Sequence, residues 1–333
     1  MQVAEVSGTE PKGAWPRLIV ALMLATLGGS GFWSVVVALP AIGSAFAVSR
    51  ADASLTYAAT MVGYSGGTLM MSRLAERTGI TPALLVGTLL LGLGYVAVGY
   101  APGLPVFMLA QGLLVGVGSA AVYTPLVADI SHWFTRRRGI AISICASGNT
   151  LAGAVWPPVM EHFFKAIGWR ETFVLLGIFC IATMLPLILP LRRRIPIPED
   201  DPDTVTVPGG AKAAGALGLV PSRLHIVLFV AGVMCCLAMS VPQVHLIGYC
   251  RDLGHGTTRG ADLLSLMMMA SLASRIAFGW SFDRIGGLAN LLIGSTMQAA
   301  SLVLYASFNS LVALYAITAL FGFIQGGSCR AMQ

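Results

Sequence analysis

Between Arg77 and Asp129 run 51 consecutive residues, 78 to 128, without one Asp, Glu, Lys or Arg. A helix crosses a bilayer core with about 20 apolar residues, so this stretch holds two crossings. Ala101-Pro102-Gly103-Leu104-Pro105 supplies the turn between them. The same reasoning along the chain predicts ten helices near 17–42, 54–72, 81–101, 104–130, 138–161, 171–191, 224–249, 262–281, 287–307 and 310–329. The expected fold class is therefore an all-α polytopic membrane protein. The composition agrees, with 56% hydrophobic and only 10% charged residues, against about 25% charged in soluble domains. That excludes a soluble enzyme, and it excludes a nucleic-acid partner despite a net charge of +6. The positive charge reads instead as loops lying against anionic membrane lipid.

The basic residues orient the spans. With the N-terminus in the cytoplasm, fourteen of the twenty Lys and Arg fall on the inner side, five on the outer side, and Arg275 inside helix 8. The expected location is the cell (inner) membrane. The first apolar run, 18–49, has no charge and is too long for a cleavable signal core. Five of the six cysteines (Cys145, Cys180, Cys235, Cys236 and Cys250) sit in or at the ends of apolar runs. With no CxxC pair they read as packing residues, and neither metal nor cofactor is expected.

Residues 192–223 break the pattern with a basic triplet, a Pro/Asp-rich run and Pro208-Gly209-Gly210. Nothing in them can bury a face, so they read as a cytoplasmic linker. The expected organisation is a tail (1–16), an N-terminal six-helix bundle (17–191), the linker (192–223) and a partial C-terminal bundle (224–333).

The two parts repeat one another. Ser72-Arg73-Leu74-Ala75-Glu76-Arg77-Thr78-Gly79 matches Gly279-Trp280-Ser281-Phe282-Asp283-Arg284-Ile285-Gly286 at an offset of 207 residues. At the same offset Leu84-Leu85-Val86-Gly87-Thr88 matches Leu291-Leu292-Ile293-Gly294-Ser295. By that register the second set is expected to lack its last two helices, with the chain cut inside helix 10.

Six helices, a linker, and a duplicated loop of the form G-x-x-x-D-R-x-G resemble the major facilitator superfamily. The resemblance implies two bundles around a midplane site that work by alternating access. The loop at 279–286 meets the family form; at 72–79, Ser72 stands for Gly and Glu76 for Asp. A narrower resemblance, to the monocarboxylate and oxalate:formate carriers, rests on Trp133-Phe134-Thr135-Arg136-Arg137-Arg138-Gly139-Ile140-Ala141 and the small-residue run to Gly148. Those carriers hold an Arg in helix 8 four residues before a Gly, as Arg275 and Gly279 do here. Their frequent helix 8 Asp is Ser271, and a helix 1 Lys of some members is Ala41. Related carriers continue after Gly-Gly with I-V-P-G-Y-A, where this chain reads Ser328-Cys329-Arg330-Ala331-Met332-Gln333. Codons can be chosen that give both in neighbouring frames, so a frame change near Gly327 is expected.

Arg275 is the leading candidate for binding substrate. An intramembrane guanidinium is costly unless it faces a wet cavity or a partner, and its fork matches a carboxylate. Trp33, Tyr123, Asn149, Gln243 and His245 are the further candidates for substrate contact. Tyr123 precedes Pro125 and Gln243 follows Pro242, where a broken helix exposes carbonyls to a site. Arg73, Glu76, Arg77 and Gly79 in one loop, and Gly279, Asp283, Arg284 and Gly286 in the other, are expected to gate by pairing across helix ends. Gly63/Gly67, Gly112/Gly116 and Gly322/Gly326 are close-packing faces.

The resulting expectation is a secondary-active carrier of a small organic anion, with a monocarboxylate the first candidate. No acidic residue lies at a helix centre, so anion exchange and cotransport with a proton both stay open. The alternatives are an efflux carrier of lipophilic compounds, since 148–158 resembles an antiporter Gly-Pro motif, and a non-functional truncated fragment. An intramembrane enzyme is not expected, because no HExxH, Gly-x-Ser-x-Gly or paired acids are present.

Overall fold

The computed structural model describes residues 13–134, 137–192, 221–285, 287–308 and 310–331. Ten helical spans run through them, labelled here α1 to α10. α1 is Ala14–Ala45, with a junction at Gly29 between its two segments. α2 is Arg50–Thr78 and α3 is Ile80–Gly99. α4 is the interrupted span Leu104–Trp133. α5 is Arg138–Ile167 and α6 is Trp169–Ile188, continued by a 3₁₀ turn to Arg192. α7 is Pro221–Asp252, α8 Gly256–Ile285, α9 Gly287–Ser307 and α10 Leu311–Ala331. Most ends agree with the sequence expectation to within four residues; the ends of α2 and α5 and the start of α8 each lie six residues further out. The observed helices run longer because their terminal turns carry charged and polar residues that leave the hydrocarbon.

Six spans are long and apolar enough by themselves to cross a membrane: α1, α3, α4, α5, α6 and α7. α2 is long enough, but it spends Thr56, Thr60, Gly63 and Gly67 on its buried face. Its apolar Leu55, Val62, Leu69 and Met70 point outward. Hydropathy is thus arranged by face, lipid-side apolar and helix-side small or hydroxylated, as expected where helices associate by close packing.

The packing of α1 to α6 is set by small residues. A Cβ on Gly63 would lie 1.8 Å from the carbonyl oxygen of Gly112, so the backbones of α2 and α4 touch there. Gly67 meets Val117 in the same seam, and Gly112 and Gly116 meet Ala59 and Thr60. Gly28 and Gly31 bring α1 against Val122 and Ser119 of α4, and Gly29 brings it against Ala152 of α5. In the second set, Gly322 of α10 lies against the Met267 carbonyl of α8. All three glycine pairs read as packing faces thus have members at helix contacts; Gly326 lies beyond the residues whose side-chain surroundings are described.

α4 is not a uniform helix. Leu104–Leu109 is α-helical, Ala110–Gly116 is a π-helical segment, and Val117–Ala120 is α-helical again. Residues 121–123 form a turn closed by three i→i−3 bonds, Ala121 N–H to Gly118, Val122 to Ser119 and Tyr123 to Ala120. Thr124–Trp133 then resumes, with Pro125 in its first turn. Pro lacks the N–H that would bond the Ala121 carbonyl, so the break falls where the sequence puts it. α7 behaves otherwise, running unbroken through Pro242. The break expected beside Gln243 does not form.

The bundle has two end faces. The basic face carries Arg17, Arg73, Arg77, Arg137 and Arg192; the far face carries Arg50, Lys165, Arg170 and Asp252.

Candidate functional site

Trp33 lies at the middle of the molecule. Its indole is buried, and its Nε1–H donates to the Asn149 carbonyl of α5 over 3.2 Å. One turn further along α5, Gly153 faces both the Trp33 ring and Met268 of α8. α1, α5 and α8 therefore meet in one layer, and no side chain larger than hydrogen fits at 153. Phe32 stands edge-on to Trp33 and to Tyr57 of α2, at centroid separations of 5.1 and 5.6 Å. The Asn149 side chain is half-buried beside Gly29. Tyr123 is half-buried at the α4 turn. Trp33 and Asn149 are thus brought together, and Tyr123 sits on the neighbouring helix of the same bundle.

Between this layer and the far face, the first six helices are latched to α7 and α8. Arg50 of α2 pairs with Asp252 of α7 at 2.6 Å. Arg251 donates to the Pro40 carbonyl of α1 at 3.3 Å. On α5, the buried Glu161 accepts from Thr257 of α8, and Lys165 donates to Thr258. Deeper in, Ser265 donates to the Ala154 carbonyl.

Arg275 lies on α8 seven residues beyond Met268, about 10 Å nearer the basic face at 1.5 Å per residue. Its side chain, with those of Asp283 and Arg284 and the surroundings of Gly279, lies outside the described residues, as does Gly286. In the matching loop Gly79 caps α2 with φ of +92°. That left-handed backbone explains the glycine of the acidic-Arg-x-Gly pattern. Arg73, Glu76 and Arg77 are exposed, and none has an ion-pair partner within 4 Å among the described residues. His245 is exposed and stands apart from Trp33 and Asn149, lining a cavity at the far face. Gln243 is buried on α7 without a hydrogen bond among the described residues.

Sequence reasoning missed two polar sites. Gln111, wholly buried on the π-helical segment, donates its amide to the Gly31 carbonyl at 3.3 Å, and its Oε1 has no partner among the described residues. A lone Gln inside an uncharged run was its signal. The second is Arg17 with Asp129, which join α1 to α4 at the basic face through two bonds of 2.7 and 2.9 Å. A third bond runs from Arg17 to the Leu191 carbonyl, and its guanidinium lies 4.4 Å from the centre of the Trp133 ring. Counted only as charges near helix ends, these two residues gave no hint of pairing.

The family model described as Major Facilitator Superfamily matches residues 19–332. The chain belongs to the major facilitator superfamily. It is a multi-pass membrane protein and not an enzyme. Monocarboxylate transporter 11 of Homo sapiens is 28% identical over 282 residues, covering 82% of this chain and 58% of that protein. Monocarboxylate transporter 13 of Bos taurus is 29% identical over 268 residues, covering 78% of this chain and 60% of that one. This major facilitator chain therefore spans less than two thirds of the length of these curated relatives. In fold it is similar to the crystal structure of a bacterial homolog of the human lysosomal transporter Spinster, inward-facing and occupied. The TM-score is 0.67 at 17% identity, covering 96% of this chain and 74% of that one.

Proposed function

We propose that the chain is a secondary-active carrier of a small organic anion, with a monocarboxylate as the first candidate, and that it works by alternating access. The observation that carries this reading is the level of Arg275. It sits on α8 about 10 Å to the basic side of the layer where Trp33, Gly153 and Met268 meet. Above that layer the bundles are latched, and below it the ends of α2 and α5 expose Arg73, Glu76, Arg77 and Ile140. An arginine at this level suits a carboxylate arriving from the basic face, because a guanidinium fork matches a carboxylate bidentately. The names of the two relatives support the same class of substrate.

In this reading the basic face is cytoplasmic, as is the N-terminus, and residues 192–223 join the two bundles there. Trp33 and Tyr123 supply aromatic walls, and Asn149 and Gln243 supply amides that hold the anion's polar end. The loop residues Arg73, Glu76, Arg77, Asp283 and Arg284 find partners when that face closes, with Gly79, Gly279 and Gly286 shaping the turns. Coupling to a proton or to a counter-anion is compatible with this arrangement.

Uptake of labelled small carboxylates into proteoliposomes tests the proposal. The expected result is saturable uptake that Arg275→Ala abolishes and Arg275→Lys weakens, since an ammonium keeps the charge and loses the fork. Uptake that ignores Arg275, or movement of lipophilic cations and no carboxylate, overturns the anion assignment.

A further inference from the structure

The far face holds a cavity of about 250 Å³ at the junction of α1, α2 and α7. Its lining is Leu39, Pro40, Gly43, Ser44 and Val48 from α1 and the following loop, Arg50, Ala53 and Ser54 from α2, and Val244, His245, Gly248 and Arg251 from α7. The charged and titratable members are two arginines and a histidine, and no acid belongs to the lining. Asp252 reaches Arg50 from outside it. The remainder is apolar or small.

We propose that this cavity is a docking site for a small carboxylate at the far face, occupied before the two bundles part. The inference rests on the carrier reading above and adds a second anion position, separated from Arg275 by the Trp33 layer. The volume corresponds to roughly eight waters at 30 Å³ each, room for a carboxylate of a few carbons. Its charged end meets Arg50 and Arg251, and its short chain meets Leu39, Val48 and Val244. The Arg50–Asp252 pair is half exposed on both sides, so an incoming carboxylate can take the place of Asp252 on Arg50. That exchange removes an ion pair joining α2 to α7. The bound carboxylate then lies between Arg50 and Arg251, in place of the direct ion pair.

Cysteine reactivity reads the site without any transport step. Ser44→Cys, and separately Ser54→Cys, place a thiol in the cavity of the full chain reconstituted in liposomes. The rate due to native thiols is measured on the unsubstituted chain. With each reagent's rate divided by its rate with a free small thiol, a sulfonate-bearing methanethiosulfonate is expected to react about five-fold faster than its trimethylammonium analogue, as a positive cleft concentrates anions. Pyruvate is expected to slow the anionic reagent where equal sodium chloride does not, and Arg251→Gln is expected to remove both preferences. Equal rates for the two reagents at both positions, or no protection by pyruvate, overturn the docking site. A chain that labels as expected but carries nothing overturns the carrier reading alone.

Discussion

Asp129→Leu is expected to be among the most destabilising single changes in the chain. Arg17 is 5% exposed and Asp129 17% exposed. Losing the carboxylate removes both bonds to Asp129 from a buried guanidinium, whose other contacts include the Leu191 carbonyl and the Trp133 ring. Stranding one member of a buried pair costs about 3–5 kcal/mol. Removing the cation instead, as Arg17→Met, is expected to cost about 2 kcal/mol, the worth of hydrogen bonds to a charged group, because Asp129 reaches solvent more easily. The double change Arg17→Met with Asp129→Leu strands nothing, and methionine fills much of the arginine stem's volume. It is expected to return to within about 1 kcal/mol of the parent, since apolar replacements of buried pairs are often neutral or better. In a detergent melt followed by size-exclusion at a fixed heating rate, Asp129→Leu should lower the midpoint by roughly 5 °C, with the double variant close to the parent. If the double variant falls as far as Asp129→Leu, the loss comes from packing and the electrostatic reasoning is refuted.

Gly63→Ala puts a methyl 1.8 Å from the Gly112 oxygen and is expected to cost about 1–3 kcal/mol, because backbone must move. Gly66→Ala, which meets nothing within 4 Å, should leave the same melt unchanged, and equal effects from the two refute the contact. Arg50→Ala removes an exposed pair worth about 0–1 kcal/mol, so stability should hardly change. Spin-label distances between α2 and α7 at the far face should nevertheless lengthen, and an unchanged distribution shows that the pair is no latch.

The helices were legible because their signal is cumulative. Twenty uncharged residues in a row have few folded alternatives, and Pro-Gly-Leu-Pro at 102–105 marks a turn whatever surrounds it. The glycine faces were legible for a related reason, since small residues four apart make a stripe only a neighbouring backbone fills. Side-chain partnerships across the fold were not. Arg17 and Asp129 are 112 residues apart, and Arg50 and Asp252 are 202 apart. Only the tertiary arrangement says that one pair is buried and the other lies on a seam. His245 shows the same limit from the other side. Its place in an apolar run suggested the centre of the membrane, but the helical register puts it in the far-face cavity, two turns from Asp252.

The π-helical segment of α4 acts as a phase setter. A π turn holds one residue more than an α turn, so it alone rotates the side chains that follow Gly116 by about 100°, before the turn at 121–123 adds its own change. Tyr123 and Asp129 both lie downstream of that shift. Deleting one residue between 110 and 116 would leave the apolar text of the chain almost unchanged, yet would swing Asp129 off Arg17 and turn Tyr123 away together. Two helices of equal hydropathy and nearly equal length would then present different surfaces. Any alignment that slips one gap through this segment assigns the wrong residues to the faces of α4 that meet α1 and α2.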